Sequence, residues 1–121
     1  MADYLPKFKP GAAVTFTASA DVVGGRLVAL TGNRTVGPAG ADAATVLGVA
    51  GFDALSGESV TVYLRPTGVH PLVASGAIVA GAKVISAAAG KVATVGAGTN
   101  TIGIALEAAA ADMDVVDVLF L

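Results

Sequence analysis

The chain has 121 residues, which suits one domain and is too short for two. Hydrophobic residues make up 55% of it and charged residues only 13%, against about 25% charged residues in ordinary domains. A surface so poor in charge predicts that part of it is covered in an assembly. The net charge is −2 and the seven basic residues are scattered, which disfavours nucleic-acid binding, and the absence of cysteine excludes disulfides and thiolate metal sites.

Residues 1–13 are predicted to form an extended N-terminal arm. Pro6 and Pro10 lie within it, and proline disfavours both a helix and a central strand. Large apolar side chains are interspersed with lysines there, and the candidate partner-binding residues are Tyr4, Leu5, Lys7, Phe8 and Lys9. The segment is either a frayed terminus or a docking arm that becomes ordered along a partner. No apolar core follows its charges, so we do not expect a signal peptide.

Residues 14–66 are predicted to be strands separated by turns, because apolar residues alternate with period two and glycines recur between the segments. The predicted strands of this half are 14–18, 26–31, 34–36, 45–52 and 58–64. Tyr63 is expected to face outward. Gly48 and Gly51 fall inside a predicted strand, which indicates a bulge or a close approach of two backbones.

Residues 72–81 connect this half to the next and contain the one predicted helical turn, which Gly76 weakens. The later strands are predicted over 82–86, 91–95, 101–107 and 115–121. The run 108–111 favours a helix by propensity, but the strands on either side make a loop more plausible. No apolar run reaches the 18 residues that a membrane-spanning helix requires.

The two halves are similar to each other at an offset of about 55 residues. Residues 45–50, for example, match 101–105. Two copies are too few for a solenoid, so we predict a small barrel of two similar halves, about 14–66 and 67–121, within a single β domain over 14–121. Closing the sheet removes edge strands, which a chain with so few charges could not otherwise protect. The predicted fold is therefore all-β, with at most one short helix.

No group of residues predicts catalysis, a cofactor or a metal site. His70 is the only histidine, and with no cysteine it cannot form a conventional zinc site alone. Asp112 and Asp114 could contact a cation, but a hairpin turn explains them better, since a calcium loop needs more oxygen ligands. The remaining carboxylates are dispersed, so no pair is placed for acid–base chemistry.

The second half carries a family resemblance in the order G-x-K-V, A-G-K-V-x-T and N-T-I-G-I-A-L-E-A-A-A. The residues concerned are Gly81, Lys83, Val84, Gly90, Lys91, Val92, Thr94, Asn100, Ile102, Gly103, Ala105, Glu107, Ala108 and Ala109. This pattern resembles tailed-phage capsid decoration proteins, also called capsid cement proteins, and the similarity extends over roughly 14–121. The chain departs from the family at Val84 and Ile85, where an aromatic residue is common.

The resemblance implies a structural virion protein, not an enzyme, that binds the outside of an assembled icosahedral capsid and stabilises it. It also implies two partners: the major capsid protein and further copies of the chain, as homotrimers at three-fold and quasi-three-fold sites. Nucleic acid and membrane are not expected partners, and synthesis is expected in the host cytoplasm. The alternative is a phage or cell-surface module that binds carbohydrate, for which exposed aromatic rings in the loops would be expected. Tyr63 is instead predicted on a strand, Tyr4 is in the arm, and tryptophan is absent.

Overall fold

The computed structural model describes residues 7–8, 12–66 and 68–121. The first half contains β1 (Ala13–Ala18), β2 (Leu27–Gly32), β3 (Thr35–Pro38), β4 (Val46–Ala50) and β5 (Ser59–Leu64). The second half contains β6 (Val69–Val73), β7 (Lys83–Ser86), a 3-10 turn (Ala88–Gly90), β8 (Val92–Thr94), β9 (Gly103–Ala105) and β10 (Val115–Phe120). The first five strands close into a barrel in the order β1-β3-β2-β4-β5, and the others form a sheet in the order β6-β10-β9-β7-β8. The all-β prediction is confirmed.

The two halves share one strand order, because β8-β7-β9-β10-β6 repeats β3-β2-β4-β5-β1. Their backbone hydrogen bonds also repeat, at an offset of 56 residues. The N–H of Ala18 donates to the carbonyl oxygen of Glu58 at 2.8 Å, and its equivalent in the second half runs from Ala74 to Asp114 at 2.7 Å. In the same way, the bond from Ser19 to Val36 (2.8 Å) is repeated by the bond from Ser75 to Val92 (2.7 Å). The prediction of two similar halves is therefore confirmed at the level of the backbone. The division into an arm over 1–13 and one domain over 14–121 stays a prediction.

Two hydrophobic clusters form the core, and β2 contributes to both. The first cluster consists of residues of the first half, and the second joins residues of the first half to those of the second. Val28 points into the first barrel, whereas Leu27 and Ala29 point outward into the second cluster. The second cluster also takes Val46 and Val49 from β4. Its second-half members are Leu72, Ala74, Ile78, Val84, Val92, Ile102, Ala105, Ala109, Val116, Val118 and Phe120. The inner side of the second sheet is thus filled in part by the outer wall of the first barrel.

Two glycines at equivalent positions allow close backbone contacts within each half. A Cβ atom at Gly48 would overlap the carbonyl oxygen of Tyr63, and one at Gly103 would overlap that of Leu119. The prediction of a close backbone approach at Gly48 is confirmed. Gly51 lies just after β4, and a Cβ atom there would come within 3.0 Å of the Tyr63 ring.

The predicted helical turn within 72–81 is wrong. The segment continues β6 as far as Val73, and Ala74 and Ile78 then form isolated bridges to Val92 and Ala109. The physical reason is burial at even-numbered positions, since Leu72, Ala74 and Ile78 all enter the second cluster. The helical turn lies instead at Ala88–Gly90, outside the predicted segment.

The loop between β3 and β4 ties the first half to the second through Asp42. The Asp42 carboxylate accepts hydrogen bonds from the backbone N–H groups of Thr99 (3.1 Å) and Asn100 (2.8 Å). The Asn100 side-chain amide donates in return to the Asp42 carbonyl oxygen at 3.0 Å. The backbone N–H bonds stabilise the charged carboxylate, so the pKa of Asp42 lies below its ordinary value of 3.8.

Ser86 holds the same loop from the end of β7. Its buried hydroxyl donates to the carbonyl oxygen of Gly40 at 2.7 Å and accepts from the backbone N–H of Ala43 at 2.9 Å. The Ser86 carbonyl oxygen accepts from the N–H of Asp42 at 2.8 Å. Because every one of these polar groups has a partner, the loop can close over the second half without leaving an unsatisfied group.

Replacing Leu27 by alanine is expected to destabilise the protein by about 2–5 kcal/mol, because Leu27 is fully buried (0% exposed) between the two halves. Leu30→Ala is the matched control, since Leu30 lies in the same strand but is 41% exposed. The control should change the free energy of unfolding by less than about 1 kcal/mol. Urea unfolding followed by circular dichroism measures both, and equal losses for the two variants would contradict the shared core.

Asp42→Asn is expected to lower the melting temperature at pH 7, because a neutral amide accepts the N–H bonds of Thr99 and Asn100 less strongly. A carboxyl whose folded pKa is depressed stabilises the protein above its unfolded pKa, and that contribution is lost as pH falls through the folded pKa. The difference in melting temperature between wild type and variant should therefore shrink as pH falls below 3.8.

The control for this experiment is Asp112→Asn, which removes an exposed carboxylate whose ion pair with Lys91 has an N–O distance of 3.4 Å. Exposed pairs contribute little, about 0–1 kcal/mol, so this variant should melt close to the wild type. A pH-independent loss in the Asp42 variant would argue against the ionised carboxylate as the source of the stabilisation.

Candidate docking surfaces

The predicted arm lies only partly within the structure. Lys7 and Phe8 are described, whereas Tyr4, Leu5 and Lys9 fall outside the described residues. The Phe8 ring is about half exposed. The docking role of the five predicted arm residues therefore stays a prediction.

Phe8 contacts the first barrel through Arg34, a residue that the sequence did not single out. The Arg34 guanidinium carbon lies 5.9 Å from the centroid of the Phe8 ring and 5.4 Å from that of Phe16. Arg34 also donates to the carbonyl oxygen of Thr15 at 3.3 Å. A cation over an aromatic face at an exposed site contributes about 0.5–1 kcal/mol, so this contact holds Phe8 only weakly.

On β6, β9 and β10 the outer surface of the second sheet is mostly apolar, with Asp117 among its apolar residues. We call it the C-sheet face, and its members are Val69, Pro71, Val73, Ile104, Leu106, Val115, Asp117 and Leu119. In this face Leu119 lies opposite Val69 on one side and Ile104 on the other, and Val115 lies opposite Val73. Val69 is 49% exposed and Val115 is 60% exposed. Exposed and half-buried apolar side chains are therefore neighbours on this face, on both sides of Asp117, instead of scattered single residues.

The equivalent surface of the first half is mostly polar. At an offset of 56 residues, Thr15 takes the place of Pro71, Ser59 that of Val115 and Thr61 that of Asp117. Both surfaces lie on the outer sides of equivalent strand pairs, β1 with β5 and β6 with β10. Hydroxyl side chains suit a face in contact with water, whereas a contiguous apolar face indicates a binding surface. A comparison of the two halves in register could have revealed this difference from the sequence.

His70 lies inside β6 and points to the inner side of the sheet. Its ring centroid is 5.0 Å from that of Phe120, which is buried. Partial burial disfavours the charged imidazolium, so the pKa of His70 is lowered from its ordinary value of 6.5. Pro71 follows it without disrupting the sheet, because β6 is an edge strand and needs no hydrogen bond from that position.

The acidic pair near residue 113 forms a turn, as predicted. The Asp114 carboxylate accepts hydrogen bonds from the backbone N–H groups of Ala110 (3.0 Å) and Ala111 (3.1 Å). Asp112 contacts Lys91 instead. Within residues 7–8, 12–66 and 68–121, no three metal-binding side chains cluster, and no helix combines the length and hydropathy of a bilayer span.

Exposed aromatic side chains lie on the first half. Tyr63 is half-exposed on β5, which confirms its predicted outward direction. Phe52, in the segment after β4, is exposed to the same extent. The Tyr63 ring packs over the Gly51 backbone, so this residue serves a packing role as well as being accessible.

Comparisons with known proteins agree with this architecture. A solved structure titled "The crystal structure of head fiber gp8.5 N base in bacteriophage phi29" superimposes with a TM-score of 0.71 over 91% of this chain and 93% of that chain. The two sequences are 20% identical, so this likeness concerns the fold. No curated protein sequence matches the chain. A family model described as phage cement protein matches residues 8–120, and the chain therefore belongs to the phage cement protein family.

Proposed function

We propose that the protein binds the outer surface of an assembled icosahedral phage capsid and stabilises it by contacting the major capsid protein. The observation that carries this proposal is the family match over residues 8–120, which identifies a structural component of the phage capsid. The low charge and the exposed C-sheet face support it, because both indicate a protein that works by fitting against another surface. In this proposal the protein has no enzymatic role.

The proposed mechanism is avidity. A single 121-residue chain offers a limited contact area, but three linked copies bind with an effective concentration that a monomer lacks. Homotrimers at three-fold and quasi-three-fold sites would connect neighbouring capsid subunits. Such links would resist the outward pressure of packaged DNA, which is the work that a cement protein performs.

The arm is the proposed contact with the shell, through Tyr4, Leu5, Lys7, Phe8 and Lys9. Thirteen extended residues span up to roughly 40 Å, enough to reach an adjacent protein. Pro6 and Pro10 restrict the backbone, so less conformational entropy is lost on docking. Each large apolar side chain buried would contribute about 1.5–3 kcal/mol. The weak contact between Phe8 and Arg34 supports this role, because it leaves half of the Phe8 ring accessible.

The carbohydrate-binding alternative remains a weaker proposal. It draws on the exposed rings of Tyr63 and Phe52, but the Tyr63 ring already packs on Gly51. The family match favours the capsid role. A glycan array would reveal any carbohydrate binding, and a specific signal that disappears in Tyr63→Ala would favour the alternative.

The full-length protein is expected to co-sediment with undecorated capsids of its phage and to reach saturation at a number of copies divisible by three per icosahedral facet. Decorated capsids should also withstand a higher temperature before they release DNA, because the added links oppose expansion. Electron cryo-microscopy of the same particles would locate the copies. Absence of saturable binding, or density on the inner surface alone, would contradict the proposal.

Deletion of residues 2–10 is expected to abolish capsid binding and to leave the β domain folded, because the deleted residues precede β1 (Ala13–Ala18). Deletion of residues 2–3 is the control, since it shortens the chain but keeps all five proposed contact residues. Co-sedimentation measures binding, and urea unfolding verifies the fold. If the longer deletion saturates capsids at the wild-type concentration, the shell contact lies on the β domain and not on the arm.

A further inference from the structure

The C-sheet face carries an acidic side chain among its apolar residues, and a basic side chain lies two strands away on the same side of the sheet. Asp117 lies on β10, opposite Pro71. Lys83 lies on β7, opposite Ile104, and is exposed. One strand, β9, separates β7 from β10, so the two charged residues are roughly 10 Å apart across the sheet and offset along it. In the described ranges the one ion pair joins Lys91 to Asp112, so Asp117 and Lys83 are not paired with each other.

One further charged group borders this arrangement. The Glu107 carboxylate accepts a hydrogen bond from the backbone N–H of Asp117 at 3.1 Å. The acidic side of the face therefore carries Asp117 and Glu107, and the basic side carries Lys83. The equivalent positions of the first half are Thr61 for Asp117 and Leu27 for Lys83, so the polarised pattern belongs to the second half alone.

We propose that the C-sheet face packs against the C-sheet face of further copies of this chain. This inference deepens the proposed function and rests on it in one respect, since it assigns the surface through which the proposed oligomer forms. The apolar residues Val69, Leu119 and Val115 would lie within the contact, on either side of Asp117. Lys83 of one copy would meet Asp117 or Glu107 of the next.

Charge complementarity selects a second copy as the occupant of this face. A surface that has an acidic side and a basic side complements itself when copies are related by rotation, because each basic side then meets an acidic side. An unrelated partner would need to reproduce the opposite polarity.

The first experiment is a charge reversal with rescue. Lys83→Glu and Asp117→Lys should each weaken self-association at least tenfold, because like charges then face each other, and the double variant should recover most of it. Thr61→Lys is the matched control on the first half and should leave association unchanged. Sedimentation velocity over a concentration series measures the effect, and circular dichroism verifies folding. Single variants that associate like the wild type, or a double variant without recovery, would count against the proposal.

The second experiment works on the capsid, where the shell could hold copies together that separate in solution. The chain has no cysteine, so Val115→Cys introduces a single exposed thiol at one end of the face. Treatment of decorated capsids with a short bis-maleimide should join copies of this chain to one another. Ser59→Cys, at the equivalent position of the first half, is the control and should give few such products.

The outcomes separate this inference from the proposed function. If the Val115→Cys variant binds capsids by co-sedimentation but cross-links only to the major capsid protein, the inference is overturned and the function stays intact. If the protein associates with itself through the face but does not bind capsids, the proposed function is overturned and the inference stays intact. A chain that is monomeric in solution and forms no chain-to-chain cross-links on capsids overturns the inference, as would equal yields from the Val115→Cys and Ser59→Cys variants.

Discussion

The burial of β2 and β4 on both sides is the constraint on which the rest of the molecule depends. Leu27 and Ala29 point to the second half and Val28 to the first, so these first three residues of β2 leave no face of the strand for water, whereas the strand is exposed from Leu30 onward. A strand buried on both faces requires a nearly continuous apolar sequence, and Leu27–Ala29 has one. Polar substitutions there would damage two cores at once. Any surface that interacts with a partner must therefore lie elsewhere.

The outer pairs β1 with β5 and β6 with β10 are the places where the surface can vary. Their inner residues fill the clusters, whereas their outer residues do not belong to either cluster. The two pairs share a backbone, including the glycine contacts at Gly48 and Gly103. One repeated scaffold can therefore present a hydroxyl-rich face on one half and an apolar face on the other without any change in the packing beneath.

Much of the fold was predictable because strand formation leaves a local signal. Alternation at residues 14–18 and 58–64 corresponds closely to β1 and β5, and turn residues separate most of the strands. The prediction for 72–81 was wrong because its short side chains resemble a helical connector, whereas burial of Leu72 and Ile78 depends on the distant partners of that segment. Local propensity carries no information about such partners.

The contacts between the halves had no comparable signal. Asp42 binds Thr99 and Asn100, which lie 57 and 58 residues further along the chain. In the sequence Asp42 is one carboxylate in a loop of glycine and alanine, which is equally compatible with a solvated turn. Arg34 likewise carries no local signal, since its proximity to Phe8 and Phe16 depends on how the barrel closes. These residues become informative only when the chain is folded.

The two proposed surfaces lie on different halves, and that separation bears on how a cement protein can work. The arm leads into β1 of the first half, where Phe8 contacts Arg34, whereas the C-sheet face belongs to the second half. A protein that used one surface for both the shell and its own copies would face competition between them. With separate surfaces, association through the second half leaves each arm available. Each arm that docks then raises the effective concentration of the others, so weak individual contacts suffice on an assembled shell, while dilute free chains do not form the same links.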